Sequence, residues 1–136
     1  MKSILFICTH NSARSQMAEA FVNTLIPGYR AYSAGTEPTA LNLYAITVMA
    51  EIGIDISGHT TKSVQKFKGK TFDYVVTVCD HAKETCPFFP GGKNLHKGFQ
   101  DPSRLSGTET ENEILVKTRE VRDNIKRWVL ETFGKE

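Results

Sequence analysis

Five residues separate a cysteine from an arginine near the start of the chain. Cys8 ends a short apolar run, and Arg14 and Ser15 open an apolar repeat at helical spacing. A strand, a tight loop and a helix N-terminus in this order direct backbone N–H groups toward an anion. The guanidinium of Arg14 adds a planar fork that matches two oxygens of a tetrahedral oxyanion. This stretch therefore predicts an oxyanion site with a cysteine inside it.

The surroundings predicted for Cys8 favour its thiolate. A helix N-terminus and a nearby guanidinium stabilise negative charge on sulfur, and the thiolate is the form that attacks phosphorus or arsenic. The hydroxyl of Ser15 could either cap the helix or hydrogen bond to the Cys8 sulfur. Asn11 tolerates a left-handed backbone and is expected to support the loop through its side chain. A lone cysteine at a strand end is more often a small buried residue, but these neighbours favour chemistry.

Strands and helices alternate around this loop. The patterns predict strands at 2–8, 29–34, 72–79 and 94–99, helices at 15–25, about 43–52 and 111–132, and a short helix within 61–67. Residues 80–90 fit either a loop or a helical turn or two. The alternation predicts an α/β fold with a parallel sheet and right-handed crossovers, in a single domain that spans residues 1–136.

The composition argues against several classes of protein. The 136 residues carry a net charge of +2, and only Lys66, Lys68 and Lys70 lie close together, which does not favour nucleic-acid binding. No apolar run approaches the ~18 residues of a membrane span, and the first residues do not resemble a signal peptide. We therefore expect a cytoplasmic protein. In that compartment three cysteines are expected to be buried, metal-bound or catalytic rather than a static disulfide framework.

The other two cysteines are separated by six residues. Cys79 ends the predicted third strand, so it is expected at the carboxyl edge of the sheet with Cys8, where sites of α/β proteins form. If the segment up to Cys86 were helical, the two Cα atoms would be ~10 Å apart, whereas a disulfide needs roughly 4.4–6.8 Å. A bond between them would require the segment to bend or unwind. The alternatives are two buried apolar residues, or a metal site with His81 or His96, although the spacing is unusual for zinc.

The motifs taken together resemble a known family. Cys8-x₅-Arg14-Ser15 after a first strand, with Asp101-Pro102 late in the chain, resembles the low-molecular-weight protein tyrosine phosphatases. The thioredoxin-coupled arsenate reductases, which share that fold, are the closer resemblance. The matching motifs are Phe-Ile-Cys-Thr-x-Asn-Ser-x-Arg-Ser-Gln-Met-Ala-Glu at 6–19, Tyr-Ser-Ala-Gly at 32–35, Ile-Asp-Ile-Ser at 54–57, Val-Val-Thr-x-Cys at 75–79, Cys-Pro at 86–87 and Gly-Phe-x-Asp-Pro at 98–102. The resemblance implies a three-layer fold with a four-stranded parallel sheet in the order 2-1-3-4 and helices on both faces.

The resemblance also implies a function, the reduction of arsenate to arsenite in arsenic detoxification. Cys8 would attack arsenate, Cys79 would attack the Cys8 sulfur and release arsenite, and Cys86 would then form a Cys79–Cys86 disulfide and free Cys8. Thioredoxin would reduce that disulfide, and no tightly bound cofactor is expected. Asp101 would protonate the leaving oxygen, although an Asp-Pro pair in isolation indicates only a turn. The residues expected to bind arsenate, or its mimics phosphate and sulfate, are Thr9, His10, Asn11, Ser12, Ala13 and Arg14.

Two other functions remain open at this point. A low-molecular-weight phosphatase, which would hydrolyse aryl or protein phosphates through a Cys8 phosphoenzyme, needs the nucleophile, the guanidinium and the acid but neither Cys79 nor Cys86. In such phosphatases aromatic residues usually follow the Asp-Pro pair, whereas Ser103 and Arg104 stand here. We therefore expect phosphatase activity only as a weak side reaction. A non-enzymatic oxyanion-binding or redox-sensing module on the same fold would leave the nucleophile and the acid unexplained.

A potassium site occurs in some members of the family that the chain resembles, built from an Asn, a Glu, a Ser, a Thr and an Asp. The matching positions here are Asn11, Glu19, Ser33, Thr60 and Lys62, so a lysine replaces the acidic ligand. Its ammonium could neutralise Glu19 in place of the metal, or Lys62 could be a solvated surface residue. We therefore expect no bound metal and no potassium requirement.

Overall fold

Strands and helices alternate along the described part of the chain. The computed structural model describes residues 1–79, 89–102 and 109–134. Its strands are β1 (Lys2–Cys8), β2 (Tyr29–Gly35), β3 (Tyr74–Thr77) and β4 (Lys93–His96), and its helices are α1 (Arg14–Leu25), α2 (Leu43–Ala50) and α3 (Glu111–Phe133), with a 3₁₀ helix at Val64–Phe67. Within these residues no helix combines the length and the apolar character needed to cross a membrane.

The four strands form one parallel sheet in the order β2-β1-β3-β4, which confirms the predicted order. β1 lies between β2 and β3, with Cys8 beside Gly35 and Ile7 beside Thr77. Because the strands are parallel, their carboxyl ends meet at one edge of the sheet. The loop that follows Cys8 therefore starts in the middle of that edge.

The two faces of the sheet are covered by different elements. Side chains alternate between the faces of a strand, so Ile4, Phe6 and Cys8 of β1 lie in one apolar cluster and Leu5 and Ile7 lie in the other. All three α-helices contribute to the first cluster. Cys8 thus ends the strand on the face where α1 begins, which places its sulfur beside the N-terminus of that helix.

Aromatic rings fill the second face. Phe72 packs against Tyr32, Phe67 and Phe89 with ring centroids 5.7–6.1 Å apart. Phe67 belongs to the 3₁₀ helix. The sequence predicts a short helix within 61–67, and this 3₁₀ helix is the element found there. Among the described residues, helices therefore lie on both faces, and this 3₁₀ helix is the helical element that packs on the second face beside Phe72 and Phe89.

The predicted ends of β3 and β4 differ from those in the structure. The sequence predicts strands at 72–79 and 94–99, whereas the strands are Tyr74–Thr77 and Lys93–His96. β3 is short because its pairing with β1 covers only Ile4 to Ile7. Residues 80–88, for which the sequence leaves loop and helix open, lie outside the described residues, as do Ser103 and Arg104.

Candidate active site

The loop between Cys8 and Arg14 joins the end of β1 to the start of α1. We call residues 8–14 the anion loop. Residue 13 is the N-cap of α1, and its alanine side chain offers no hydrogen bond to the helix. Ser15 therefore lies inside the helix and does not cap it, which settles one of the two roles that the sequence left open. The first amides of α1 have no partner within the helix, so the positive end of its dipole faces the loop.

The Cys8 thiol is free and almost completely buried. The backbone N–H of Asn11 donates to its sulfur at 3.2 Å, and the Ser15 Oγ lies 2.9 Å from the same sulfur. The Asn11 side-chain amide donates to Ser15 Oγ at 2.7 Å, so the Ser15 hydroxyl hydrogen can be directed at the sulfur. Asn11 has a φ of 53°, a left-handed backbone that asparagine tolerates. Two donors thus converge on the sulfur, an arrangement that suits a thiolate.

Arg14 and Asp101 meet at this loop although they are far apart in the sequence. Their side chains are 2% and 5% exposed, and Arg14 Nη2 lies 3.5 Å from Asp101 Oδ2. Arg14 Nη1 also donates to the carbonyl oxygen of Phe99 at 3.4 Å. The segment after β4 therefore orients the guanidinium and brings a buried carboxyl group next to it.

The remaining residues expected to bind the substrate fill the rest of the loop. Thr9 and His10 are partly exposed, while Ser12 and Ala13 are buried. A loop of this length, curled between a strand and a helix, can surround one tetrahedral anion with backbone N–H groups.

A buried glutamine supports the anion loop, a role that the sequence does not predict. Gln16 Nε2 lies 3.1 Å from both the backbone oxygen and Oδ1 of Asn11, and 3.0 Å from the Thr60 carbonyl oxygen. Its Oε1 accepts from His59 Nδ1 at 2.9 Å. Its partners come from distant segments, so a glutamine near the start of a helix carries no local sequence signal of this role, although the structure buries its amide completely.

The residues matching the potassium ligands do not fit that metal here. Lys62 Nζ donates to the Thr60 carbonyl oxygen at 2.7 Å, and the Ser33 hydroxyl donates to Glu19 Oε1 at 2.8 Å. Asn11 Oδ1 accepts from the Lys62 backbone amide at 2.8 Å. Burial lowers the pKa of Lys62, and the charge of Glu19 opposes that shift. The positive charge of Lys62 thus interacts with the Glu19 carboxylate, which a bound metal ion would need as a ligand.

Cys79 lies close to the residue that precedes Cys8. It is fully buried just after β3, with its Sγ 3.8 Å from the carbonyl oxygen of Ile7. Cys79 is disulfide-bonded, in contrast to Cys8. Cys86, which the sequence proposes as the third thiol, lies outside the described residues.

The alternative of a metal site at these cysteines finds no support in the described residues. A sulfur in a disulfide is not the thiolate that zinc binds, and His96 Nδ1 is 2.8 Å from the hydroxyl of Thr77. His81 lies outside the described residues. Among residues 1–79, 89–102 and 109–134, no three His, Cys, Asp or Glu side chains form a group that could hold a metal ion.

The arrangement of anion loop, helix and acid lies within a part of the chain that matches a known protein family. The family described as low molecular weight phosphotyrosine protein phosphatase matches residues 3–128. The chain belongs to this family. Within the phosphatase family it is similar to an arsenate reductase of Halalkalibacterium halodurans, with 42% identity over 126 residues that cover 91% of this chain and 89% of the relative.

Solved structures of family members agree with the sequence comparison. An arsenate reductase from Archaeoglobus fulgidus DSM 4304 is 28% identical, with a TM-score of 0.79 over 97% of this chain and 99% of that one. An arsenate reductase in the phosphate binding state is 30% identical, with a TM-score of 0.76 over 98% of both chains. The fold is therefore that of the low-molecular-weight phosphatases, and these similar proteins are named for arsenate reduction.

Proposed function

We propose that this chain reduces arsenate to arsenite with Cys8 as the nucleophile and electrons supplied through Cys79 and Cys86. The observation that carries the proposal is the different state of two cysteines, one that ends β1 and one that follows the neighbouring strand β3. Cys8 is a free thiol inside the anion loop, and Cys79, next to Ile7, is disulfide-bonded. A free Cys8 and a disulfide-bonded Cys79 are what an internal disulfide relay leaves behind once it has returned Cys8 to the thiol form. The arsenate reductases among the relatives support the same substrate.

Binding and the first chemical step use the anion loop, Arg14 and Asp101. The loop amides and the guanidinium hold the oxyanion, and the phosphate bound by a similar protein supports a tetrahedral ligand. The Cys8 thiolate attacks arsenic(V) and forms a sulfur–arsenic bond. One arsenate oxygen departs with a proton from Asp101, which lies beside Arg14. General acid catalysis of this kind is typically worth about 10²–10⁴-fold.

The second step transfers two electrons to arsenic. The Cys79 thiolate attacks the Cys8 sulfur, a disulfide forms, and the electron pair of the sulfur–arsenic bond stays on arsenic as arsenite leaves. Cys86 then attacks Cys79, which forms the Cys79–Cys86 disulfide and releases the Cys8 thiolate. The dithiol of thioredoxin, the reductant that the family resemblance implies, becomes oxidised as it reduces that disulfide. The balance is one arsenate reduced for one dithiol oxidised.

A coupled assay tests this proposal. NADPH oxidation is followed with thioredoxin, thioredoxin reductase and arsenate, and arsenite is quantified separately. We expect one arsenite for each NADPH consumed, and activity in neither Cys8→Ser nor Cys79→Ser. A wild-type protein that makes no arsenite but hydrolyses aryl phosphates efficiently would overturn the proposal.

Hydrolysis of phosphate esters is the second candidate because the phosphatase family itself uses this fold. The free Cys8, the guanidinium of Arg14 and the carboxyl of Asp101 are sufficient for that reaction. It would need neither Cys79 nor Cys86. An assay with para-nitrophenyl phosphate distinguishes the two functions. We expect this ester to be hydrolysed far more slowly than arsenate is reduced.

A further inference from the structure

A segment that follows β2 lies along the outer side of the anion loop. We call residues 35–42 the clamp. Three backbone hydrogen bonds join it to the loop, from the amides of Glu37, Thr39 and Asn42 to the carbonyl oxygens of Thr9, His10 and Ser12, at 2.8, 3.2 and 2.9 Å. Three loop carbonyls that are close together in sequence are therefore held pointing away from the loop centre.

The orientation of these carbonyls fixes the direction of the loop amides. In a trans peptide the C=O of one residue and the N–H of the next point in opposite directions. When the His10 carbonyl is held outward by Thr39, the N–H of Asn11 must point inward. This is what the structure contains, since the Asn11 N–H donates to the Cys8 sulfur at 3.2 Å. The same geometry turns the amides that follow Thr9 and Ser12 toward the site where an anion binds.

The close approach of the clamp depends on a glycine. Gly35 ends β2 beside Cys8, and its own amide is anchored to the Lys62 carbonyl oxygen at 2.8 Å. A Cβ added at Gly35 would lie 2.6 Å from the Thr9 oxygen and 2.9 Å from the Asn11 nitrogen. Both atoms belong to the backbone of the anion loop, so a larger residue would displace the loop rather than a flexible side chain.

A side chain of the anion loop also forms a hydrogen bond to the clamp. His10 Nδ1 lies 3.1 Å from the Glu37 carbonyl oxygen. A carbonyl oxygen can only accept, so the ring nitrogen is the donor. His10 therefore joins the anion loop to the clamp through both its backbone oxygen and its ring.

We propose that the clamp determines how tightly the anion loop binds oxyanions, with Gly35 and His10 as positioning residues that act through the direction of the loop amides. Neither Gly35 nor the His10 ring is required to touch the reacting atoms. The inference rests on the proposed function only in taking a tetrahedral oxyanion as the ligand.

Inorganic phosphate is the probe for this inference. The full-length protein is oxidised until thiol titration gives one free thiol per chain, and the rate of Cys8 alkylation by iodoacetamide is measured at increasing phosphate concentration. Protection by phosphate gives its dissociation constant without any catalytic turnover. Circular dichroism and urea unfolding of each variant report separately on the fold.

Two pairs of variants distinguish positioning from a general loss of structure. Gly35→Ala is compared with Gly58→Ala, where an added Cβ meets nothing within 4 Å. His10→Ala is compared with His10→Asn, whose amide nitrogen can replace Nδ1 as the donor. We expect Gly35→Ala to weaken phosphate binding at least tenfold and His10→Ala about 2–10-fold, the range for one neutral hydrogen bond. Gly58→Ala should bind nearly as the wild type does, and His10→Asn should recover most of the affinity that His10→Ala loses.

The outcomes decide the proposal in each direction. A folded Gly35→Ala protein with wild-type phosphate affinity would overturn it, as would a His10→Ala variant that binds normally or a His10→Asn variant that is not restored. If Gly35→Ala does not fold, the two His10 variants decide alone. Absence of arsenate reduction by the wild type would remove the proposed function but would leave these phosphate measurements valid.

Discussion

An Arg14→Lys substitution measures how much of the oxyanion affinity comes from the guanidinium fork. Arg14 is only 2% exposed, and its two terminal nitrogens are already oriented by the Phe99 carbonyl oxygen at 3.4 Å and Asp101 Oδ2 at 3.5 Å. The guanidinium is therefore fixed before the anion arrives. Lysine keeps the positive charge but cannot present two parallel N–H donors.

The size of the effect follows from one lost charge-assisted hydrogen bond. Such a bond is worth about 1.5–3 kcal/mol, which corresponds to a loss of about 10–150-fold in affinity. Water cannot replace the lost donor freely because the side chain is buried. We therefore expect the dissociation constant for phosphate to rise by at least tenfold in Arg14→Lys.

Isothermal titration calorimetry with phosphate at constant ionic strength measures this change. Arg30→Lys is the matched control, because Arg30 is exposed on β2 and pairs with Ser3 near the amino-terminal edge of the sheet. Urea unfolding of both variants separates a binding defect from a loss of stability. An Arg14→Lys protein that is folded and binds phosphate within about twofold of the wild type would refute the role assigned to the fork.

The charged side chains of Lys62 and Glu51 each influence a property that can be measured. Activity should be no higher in potassium than in sodium at equal ionic strength. The Lys62 ammonium, 2.7 Å from the Thr60 carbonyl oxygen, supplies positive charge near Glu19 in place of a metal ion. A severalfold rise in activity with potassium would contradict this. Hydrogen bonding from Arg119 lowers the pKa of Glu51, so its stabilising contribution is present above the ordinary glutamate pKa and is lost as the pH falls through the lowered value. Glu51→Gln should therefore cost unfolding free energy at pH 7 but little at acid pH, as measured by urea denaturation, and a difference independent of pH would count against it.

The arrangement near Cys8 could be predicted because it is encoded locally. A strand, a polar loop, Arg14 and Ser15 follow each other within a few residues, and the left-handed Asn11 uses a residue type suited to that backbone. The role of Ser15 remained open because a hydroxyl at a helix start suits a cap as well as a neighbouring sulfur. The structure favours the sulfur, since the N-cap is residue 13 and Ser15 Oγ lies 2.9 Å from Cys8.

The supporting contacts could not be predicted because their partners are distant in sequence. Gln16 contacts Thr60 and His59, more than 40 positions away. The clamp binds the anion loop mainly through backbone groups, which carry no residue signature apart from Gly35. A glycine after a strand is usually interpreted as a turn residue, and only the distance to the Thr9 oxygen shows why the side chain must be absent.

Strand ends were also poorly determined by the pattern. The run at 72–79 is rich in β-branched and aromatic residues throughout, but β3 is limited to Tyr74–Thr77 by the extent of its pairing with β1. Phe72 instead bonds through its amide to the Gly91 oxygen and packs in the aromatic cluster of the second face. Propensity reports what a residue prefers, whereas the end of a strand depends on its neighbours.

In the proposed relay, Cys86 resolves an internal disulfide and so permits repeated turnover. The direct measurement is the number of arsenite molecules released per molecule of Cys86→Ser protein with thioredoxin, thioredoxin reductase and excess arsenate. The relay predicts about one arsenite per protein molecule and then no further NADPH oxidation, with Cys8 and Cys79 joined when the disulfides are mapped by mass spectrometry. Sustained arsenite production by Cys86→Ser at a rate near that of the wild type would contradict the relay.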